Sequence, residues 1–286
     1  REFSMVFQFE HIGLDQIPGK EKWDLEPLDW MELKKVLSKW QTGLHGCGWN
    51  SLFWNNHDLP RIVSRWGNDK EYLKECATAF GLMYFMQQGT PFIYQGQEIG
   101  MTNVKFDSIY DYNDVKGINI YKEKVEQGLS GEEALKYVWA VSRDNSRTPM
   151  QWDSSENSGF TTGKPWIKIN KNHKYINVKD QLKDENSILN FYKKMINIRK
   201  ENKTLIYGSY DLILEDHEKI YAYTRIMREE EFVIIVNLSH DNVKYSYDIN
   251  LHSDGLLLSN YNVEKHALLT EFDLRPYEAR IYKVIK

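Results

Sequence analysis

The sequence predicts an α/β fold, in which a parallel β-sheet covered by helices is followed by a small all-β antiparallel sandwich. Three observations carry that expectation. Between Met5 and Glu98, short runs that are apolar throughout alternate with stretches of helical period. Each apolar run turns polar at its C-terminal end, as the strands of a parallel sheet do when they deliver functional groups to one rim. Beyond Gly208 the helical period disappears, and β-rich runs separated by charged turns take over.

Met5–His11 reads as the first strand, and the following loop contains Pro18, Gly19 and Pro27. Asp29 is placed to cap a helix carrying Leu33, Leu37 and Trp40 on one face. The second strand is expected over 51–56, where Leu52-Phe53-Trp54 stops at Asn55, Asn56, His57 and Asp58, and Pro60 ends regular structure. Taken alone, Asn-His-Asp before a proline is equally good turn chemistry. Asn68 and Glu71 have capping-box spacing, and the helix expected after them puts Leu73, Ala77, Phe80 and Tyr84 on one face. Pro91–Glu98 is the third strand. Residues 99–180 form a long excursion, with helices expected around 108–127 and 130–139; segments of this length inside a compact domain usually carry function. Asp184 or Ser187 caps a last helix with Ile188, Phe191, Tyr192, Met195 and Ile198 inward. Strands are then expected at Ser209–Leu214, Ile220–Arg225, Phe232–Asn237, Lys244–Ile249 and Arg280–Ile285. The division falls between a first domain, 1–206, and a second, 207–286. A closed eight-stranded α/β barrel takes about 250 residues. Three strands of barrel type therefore belong either to an open sheet or to the last part of a barrel whose first strands lie upstream.

The chain has 286 residues, which favours two domains, and is 41% hydrophobic and 14% aromatic, ample for a core. A net charge of −4 and a pI near 6.1 give no footing for nucleic acid or an anionic membrane. Mean hydropathy is −0.61 and no long apolar run occurs, so no membrane span is expected. No leader-like apolar segment opens the chain, which starts at Arg1 without an initiator Met. Two cysteines, Cys47 and Cys76, make no disulfide framework, and the expected setting is a reducing cytoplasm. There is no GxGxxG, no phosphate loop and no HExxH, so no cofactor is expected.

The chemistry gathers at the polar strand ends: Glu10, His11, His57, Asp58, Gln97 and Glu98, joined by Arg143 from the excursion. Glycoside hydrolysis calls for such a set, with carboxylates for nucleophile and acid and further groups that hold sugar hydroxyls while the ring distorts. A metal cluster of His11, His57 and Asp58 is the rival, although its spacing matches no standard site. Glu10 and His11 serve equally well as groups holding the rim from behind. Arg147 is as suited to holding its loop through Asp144 as to touching sugar. Trp23, Trp49 and Trp54 are read as core before sugar platforms.

Phe53-Trp-Asn-Asn-His-Asp-Leu-Pro-Arg61 resembles the strand-seven motif of the α-amylase superfamily of glycoside hydrolases. Met5–His11 is similar to strand six of its oligo-1,6-glucosidase branch, Gly89–Asn103 to strand eight and its exit, and Ser142–Trp152 to that branch's long insert. Within the branch these stretches look most like the glucan 1,6-α-glucosidases, with the oligo-1,6-glucosidases nearly as close. The trehalose-6-phosphate hydrolases are near cousins that commonly carry Cys where Asn55 or Asn56 stands. The resemblance implies the last part, about strands six to eight, of a (β/α)8 TIM barrel followed by a C-terminal β-sandwich. It implies a retaining α-glucosidase that releases glucose from the non-reducing end of isomalto-oligosaccharides or dextran at α-1,6 bonds. Asp58 would be the transition-state stabiliser among the catalytic carboxylates. His57 would bind hydroxyls of the glucose at the cleavage site, with Arg143 beside it, and Lys22 would meet the leaving sugar; Glu10 and His11 complete the expected substrate-binding set. The family's nucleophilic Asp and general-acid Glu belong to earlier strands, and no motif here matches either; Glu10 and Glu98 do not replace them. Lys116 stands where the branch often has Glu near the leaving group, and Gln97 where it often has Glu. Trehalose 6-phosphate and α-1,4 glucosides remain alternative substrates, and a non-catalytic glycosidase-like module remains an alternative class. An open set of three strands leaves sheet edges unpaired. The chain is therefore expected to pair with a second copy or with an N-terminal piece.

Overall fold

A computed structural model of the chain describes residues 3–247, 252–263 and 269–285. Three short parallel strands, β1 (Met5–Val6), β2 (Trp49–Leu52) and β3 (Thr90–Pro91), lie in the order β1-β2-β3, with Met5 opposite Trp49 and Ser51 opposite Thr90. All three are shorter than their apolar runs. Pro91 has no N–H to donate, so the β2–β3 ladder adds one further bond, from Phe92 N–H to the Leu52 carbonyl (2.7 Å), and stops. The residues past each strand end turn away from the sheet; Glu10–Gly13 forms a 3-10 turn.

Helix α1 (Trp30–Leu44) begins where the sequence places it, with the Asp29 carboxylate accepting from Met31 N–H at 2.8 Å. The short α2 (Ile62–Arg65) leads to α3 (Leu73–Phe85), buried over almost its whole length. The expected capping box fails here. Asn68 instead accepts from the Lys70 and Tyr72 amides, which closes a turn and delays the helix to Leu73. The excursion holds α4 (Val115–Glu126), α5 (Gly131–Val141), α6 (Asp144–Arg147) and α7 (Val178–Gln181). Ser130 and Glu133 make a reciprocal capping box for α5. Ser187, not Asp184, caps α8 (Ile188–Glu201), and α9 (Lys203–Tyr207) ends the helical part.

The antiparallel part has β4 (Ser209–Ile213), β5 (Ile220–Met227), β6 (Glu230–Asn237), β7 (Val243–Ser246), β8 (His252–Ser259), β9 (Glu271–Leu274) and β10 (Ala279–Ile285). One sheet runs β4-β5-β6-β10-β8, and β7 pairs with β9. The strand expected over Lys244–Ile249 is seen to Ser246; its last two positions lie outside the described residues. Strands β8 and β9 are additions to the sequence reading.

Both faces of the larger sheet are covered. On β5, Tyr221 and Tyr223 join the core built with Phe80, Tyr84 and Met195 of the helices. Their neighbours Ile220 and Ala222 join a second core with Tyr245, Phe272 and Leu274 of the small sheet. That is why β5 and β6 read as continuous apolar runs rather than alternating ones. Two buried arginines tie the helices to the sheet. Arg199 donates to the carbonyls of Phe85, Gln87, Leu205 and Gly89, and Arg225 to those of Met86, Leu205, Gly208 and Ser209.

Candidate active site

The site is built where β2 ends. Asn55 is buried, donates to Gln97 Oε1 (3.2 Å) and accepts from Ile62 N–H (2.9 Å), so the strand end is tied to the exit of β3 and to α2. Gln97 in turn donates to Tyr192 Oη on α8. The chain then turns on Asn56, whose side chain accepts from Asp58 N–H at 2.8 Å. This turn presents His57 and Asp58 to solvent on the rim. The turn reading of the motif thus holds, and the turn displays His57 and Asp58 on the surface.

Asp58 is gripped by two arginines. Arg147 Nη2 donates to Asp58 Oδ1 at 2.6 Å, and Arg147 Nε donates to the His57 carbonyl at 2.8 Å. Arg143 Nε lies 3.4 Å from the same Oδ1. The other carboxylate oxygen, Oδ2, faces His57 Nε2 at 3.5 Å. One oxygen is thus committed to guanidinium groups, and the second is directed to the imidazole and solvent, where a hydroxyl could donate to it.

The arginines are positioned from the excursion. Asp114, itself buried, caps α4 through Lys116 N–H (3.1 Å) and accepts from Arg143 N–H (2.8 Å). Asp144 accepts from the amides of Asn113 and Asp114, and burial pushes its carboxyl above the usual range. Ser146 donates to the Leu59 carbonyl, and Tyr94 Oη donates to the Ser146 carbonyl at 3.0 Å. Arg61 is buried beneath, donating to the carbonyls of Asn145 and Gln95. Sequence reasoning left Arg147 undecided; here it holds Asp58, while Asp144 spends its bonds on backbone amides. No local signal could have found this, since the partners are 89 residues apart.

Glu10 and His11 do not join this pair. The Glu10 carboxylate is taken by Lys39 Nζ (2.8 Å) and Trp40 Nε1 (2.8 Å) of α1, and the first of these holds it below the ordinary carboxylate range. His11 is 0% exposed, so it presents no surface to a sugar. Its Nε2 donates to the Phe53 carbonyl (3.1 Å), and its Nδ1 accepts from the Gln8 amide (2.7 Å). Gln8 Oε1 accepts from Glu10 N–H, which sets the amide's orientation. Burial, with a donor already facing Nδ1, leaves no room for a second ring proton, and the imidazole is pushed down to about 4. His11 is corrected from the substrate-binding set to a group that fastens the rim, because it is sealed from solvent, whereas Glu10 stays on the surface with its carboxylate engaged by Lys39 and Trp40. This also separates His11 from a metal cluster with His57 and Asp58, and among the described residues no three potential ligands converge. Glu98 is half-buried, and burial raises its carboxyl.

Lys22 is exposed on the loop before α1. It lies close enough to half-buried Lys116 to act on it as a like charge, as do Arg143 and Arg65. Burial first, and then these charges, lower the Lys116 ammonium, against the pull of Asp114. Trp54 is core, donating to the Phe80 carbonyl (2.8 Å). Beside the rim, a cleft of about 430 Å³ is lined by Phe7, Phe9, Phe53, Phe92 and Tyr94.

Comparison with known proteins agrees with this architecture. Oligo-1,6-glucosidase of Halalkalibacterium halodurans is 52% identical over 98% of this chain and 50% of its own length. Glucan 1,6-alpha-glucosidase of Streptococcus pneumoniae is 47% identical over 84% of this chain and 45% of its own. A crystal structure of trehalose-6-phosphate hydrolase from Bacillus licheniformis superposes with a TM-score of 0.94 at 43% identity, covering 99% of this chain and 51% of that one. The chain spans about half the length of the relatives it matches. The parallel strands accordingly belong to a (β/α)8 barrel, not to an open sheet. Residues 1–208 match the alpha-amylase catalytic domain, and the chain belongs to the alpha-amylase family.

Proposed function

We propose that this chain carries the substrate-gripping rim of a retaining α-glucosidase that releases glucose from the non-reducing end of α-1,6-linked isomalto-oligosaccharides or dextran. The observation that carries the reading is Asp58, held through Oδ1 by Arg147 and Arg143 with Oδ2 turned to His57 and solvent. A carboxylate so fixed can accept from sugar hydroxyls more strongly as the ring flattens and gains positive charge, which lowers the barrier selectively. His57 shares those hydroxyls, and Arg143 and Lys22 flank them. The oligo-1,6-glucosidase and glucan 1,6-alpha-glucosidase names of the relatives support the α-1,6 substrate.

Bond cleavage needs a nucleophile and a general acid from a complementary half of the barrel. Phe7, Phe9 and Phe92, exposed by 49%, 57% and 38%, and the open edges of β1 and β3 are the surface such a half would cover. We place the division between barrel and sandwich at 206/207, and expect a cytoplasmic setting. The test is hydrolysis of isomaltose. The chain alone should release no glucose, and the barrel completed by an N-terminal half should release it in an Asp58-dependent way. Glucose release by the chain alone, or an Asp58→Asn enzyme of normal turnover, would overturn the reading. The trehalose-6-phosphate hydrolase relative favours one second substrate, so trehalose 6-phosphate and maltose belong in the same assay.

A further inference from the structure

Beneath the rim, three buried side chains are joined in one line of hydrogen bonds whose direction is fixed at both ends. Ile62 N–H can only donate, and it donates to Asn55 Oδ1 at 2.9 Å. The Asn55 amide nitrogen therefore faces Gln97 and donates to Gln97 Oε1 at 3.2 Å. That leaves the Gln97 amide nitrogen to donate to Tyr192 Oη, also at 3.2 Å. Tyr192 Oη donates in turn to the Ala77 carbonyl of α3, which can only accept. Asn55, Gln97 and Tyr192 are sealed from water, so solvent does not compete for these bonds. The Ile62–Asn55 bond also closes the neck of the loop between them, which carries His57 and Asp58.

We propose that Gln97 is a positioning residue for the rim: its amide, donating on one side and accepting on the other, holds Asn55 in the orientation that closes the loop bearing His57 and Asp58. The position asks for an uncharged group with one donor and one acceptor. A carboxylate offers acceptors only, so it takes the Asn55 bond but cannot donate to Tyr192. Either that bond is lost, or Tyr192 turns its proton away from Ala77. The carboxylate also brings a charge into a buried place beside Glu98. Protonated, the same group has one donor and one acceptor again and reproduces the bonds of the amide. The titratable and charged groups around the position are Glu98 from its own segment, Arg61 from the rim loop, Tyr192 from α8 and Cys76 from α3. Burial raises the Glu98 carboxyl against the pull of Arg61, and it pushes the Cys76 thiol up to about 12. The amide of Gln97 keeps the neck of the loop free of titration among these neighbours. This inference rests on the rim being the sugar site.

Gln97→Glu tests this, with Gln97→Met as the variant that deletes both bonds without introducing a charge. In the completed barrel, Q97E should cleave isomaltose within about twofold of wild type at pH 5, where burial keeps the introduced carboxyl protonated. At pH 8 it should be about tenfold slower than wild type, because the ionised group lets the loop shift. Q97M should lose about the same factor at both pH values. In the full chain alone, followed by nitrogen–proton NMR, the backbone amides of Asp58 and Ile62 should show a titration step in Q97E that wild type lacks. A ratio of Q97E to wild-type turnover that stays constant with pH, a Q97M enzyme of normal turnover, a Q97E chain that fails to fold at pH 5, or amides without the added step would each overturn the proposal. A wild-type barrel that leaves isomaltose intact, with the added step present in the Q97E chain, would keep the role of Gln97 in holding the loop and lose the α-1,6-glucosidase reading.

Discussion

At the seam between the helices and the sandwich, Arg199 and Arg225 are buried and direct their guanidinium groups at backbone carbonyls. Burial pushes both down to about 10, still charged at neutral pH. At the rim, the side chains of Arg143 and Arg147 keep 42% and 27% of their surface exposed and converge on one carboxylate. The same side chain does different work in the two places. In the seam its fixed fork of donors satisfies carbonyls left over at helix and strand ends, which would otherwise be orphaned in the core. At the rim it holds an acceptor in place while water still has access.

Four substitutions sharpen the contrast. The largest effect is expected from Asp58→Asn in the completed barrel: turnover of isomaltose falls about a thousandfold, worth about 4 kcal/mol, as for other groups that stabilise transition-state charge. The melting temperature should not move, since the rim holds the group without depending on it; a large loss of stability would make Asp58 a structural residue. Arg225→Met should do the reverse. It strands the carbonyls of Met86, Leu205, Gly208 and Ser209, and about 3 to 4 kcal/mol of unfolding free energy should disappear in a denaturant titration. A loss near zero would mean that water replaces the guanidinium.

His11 lies between the two cases, buried yet serving the rim. Its folded pKa of about 4 is below the ordinary histidine value of 6.5, so between those pH values the unfolded chain binds a proton that the folded chain refuses. Stability therefore falls as pH drops from 6.5 towards 4, by up to about 3 kcal/mol from this residue. Unfolding free energies of wild type and His11→Gln should differ more at pH 7 than at pH 4.5; a difference independent of pH would contradict a neutral His11. The smallest effect is expected from Arg147→Lys. Lysine can reach Asp58 or the His57 carbonyl but not both in the observed geometry, and turnover should fall about tenfold, about 1.4 kcal/mol. Unchanged turnover would leave Arg143 sufficient to hold Asp58.

Much of the fold was legible in the chain. Asp29 and the Leu33–Leu37 stripe specified α1, Ser187 and its apolar period specified α8, and the polar ends of the apolar runs marked the rim. Strands β8 and β9 were not legible. His252–Ser259 shows no clean alternation, and it joins β10 with shifts in register that no periodic pattern would show. Glu271–Leu274 is only four residues long. At the site, His57 and Asp58 stood out because two polar residues directly after an apolar strand have few other reasons to be there. Glu10 and His11 have the same position relative to their strand, yet one is taken by Lys39 and Trp40 and the other is sealed behind Phe53.

The sequence by itself determined the alternation of strands and long helices before the excursion, the change from helical to β character at Gly208, and which carboxylate sits on a displayed turn. These rest on local propensity and periodicity, which operate within a few residues. Only the tertiary structure decided that Arg147 grips Asp58, that His11 is neutral scaffold, and that β5 is buried on both faces. Those outcomes depend on which surfaces meet across long stretches of chain. Whether a polar side chain is spent on its neighbours or left for a ligand is settled by the packing around it, not by its place in the sequence.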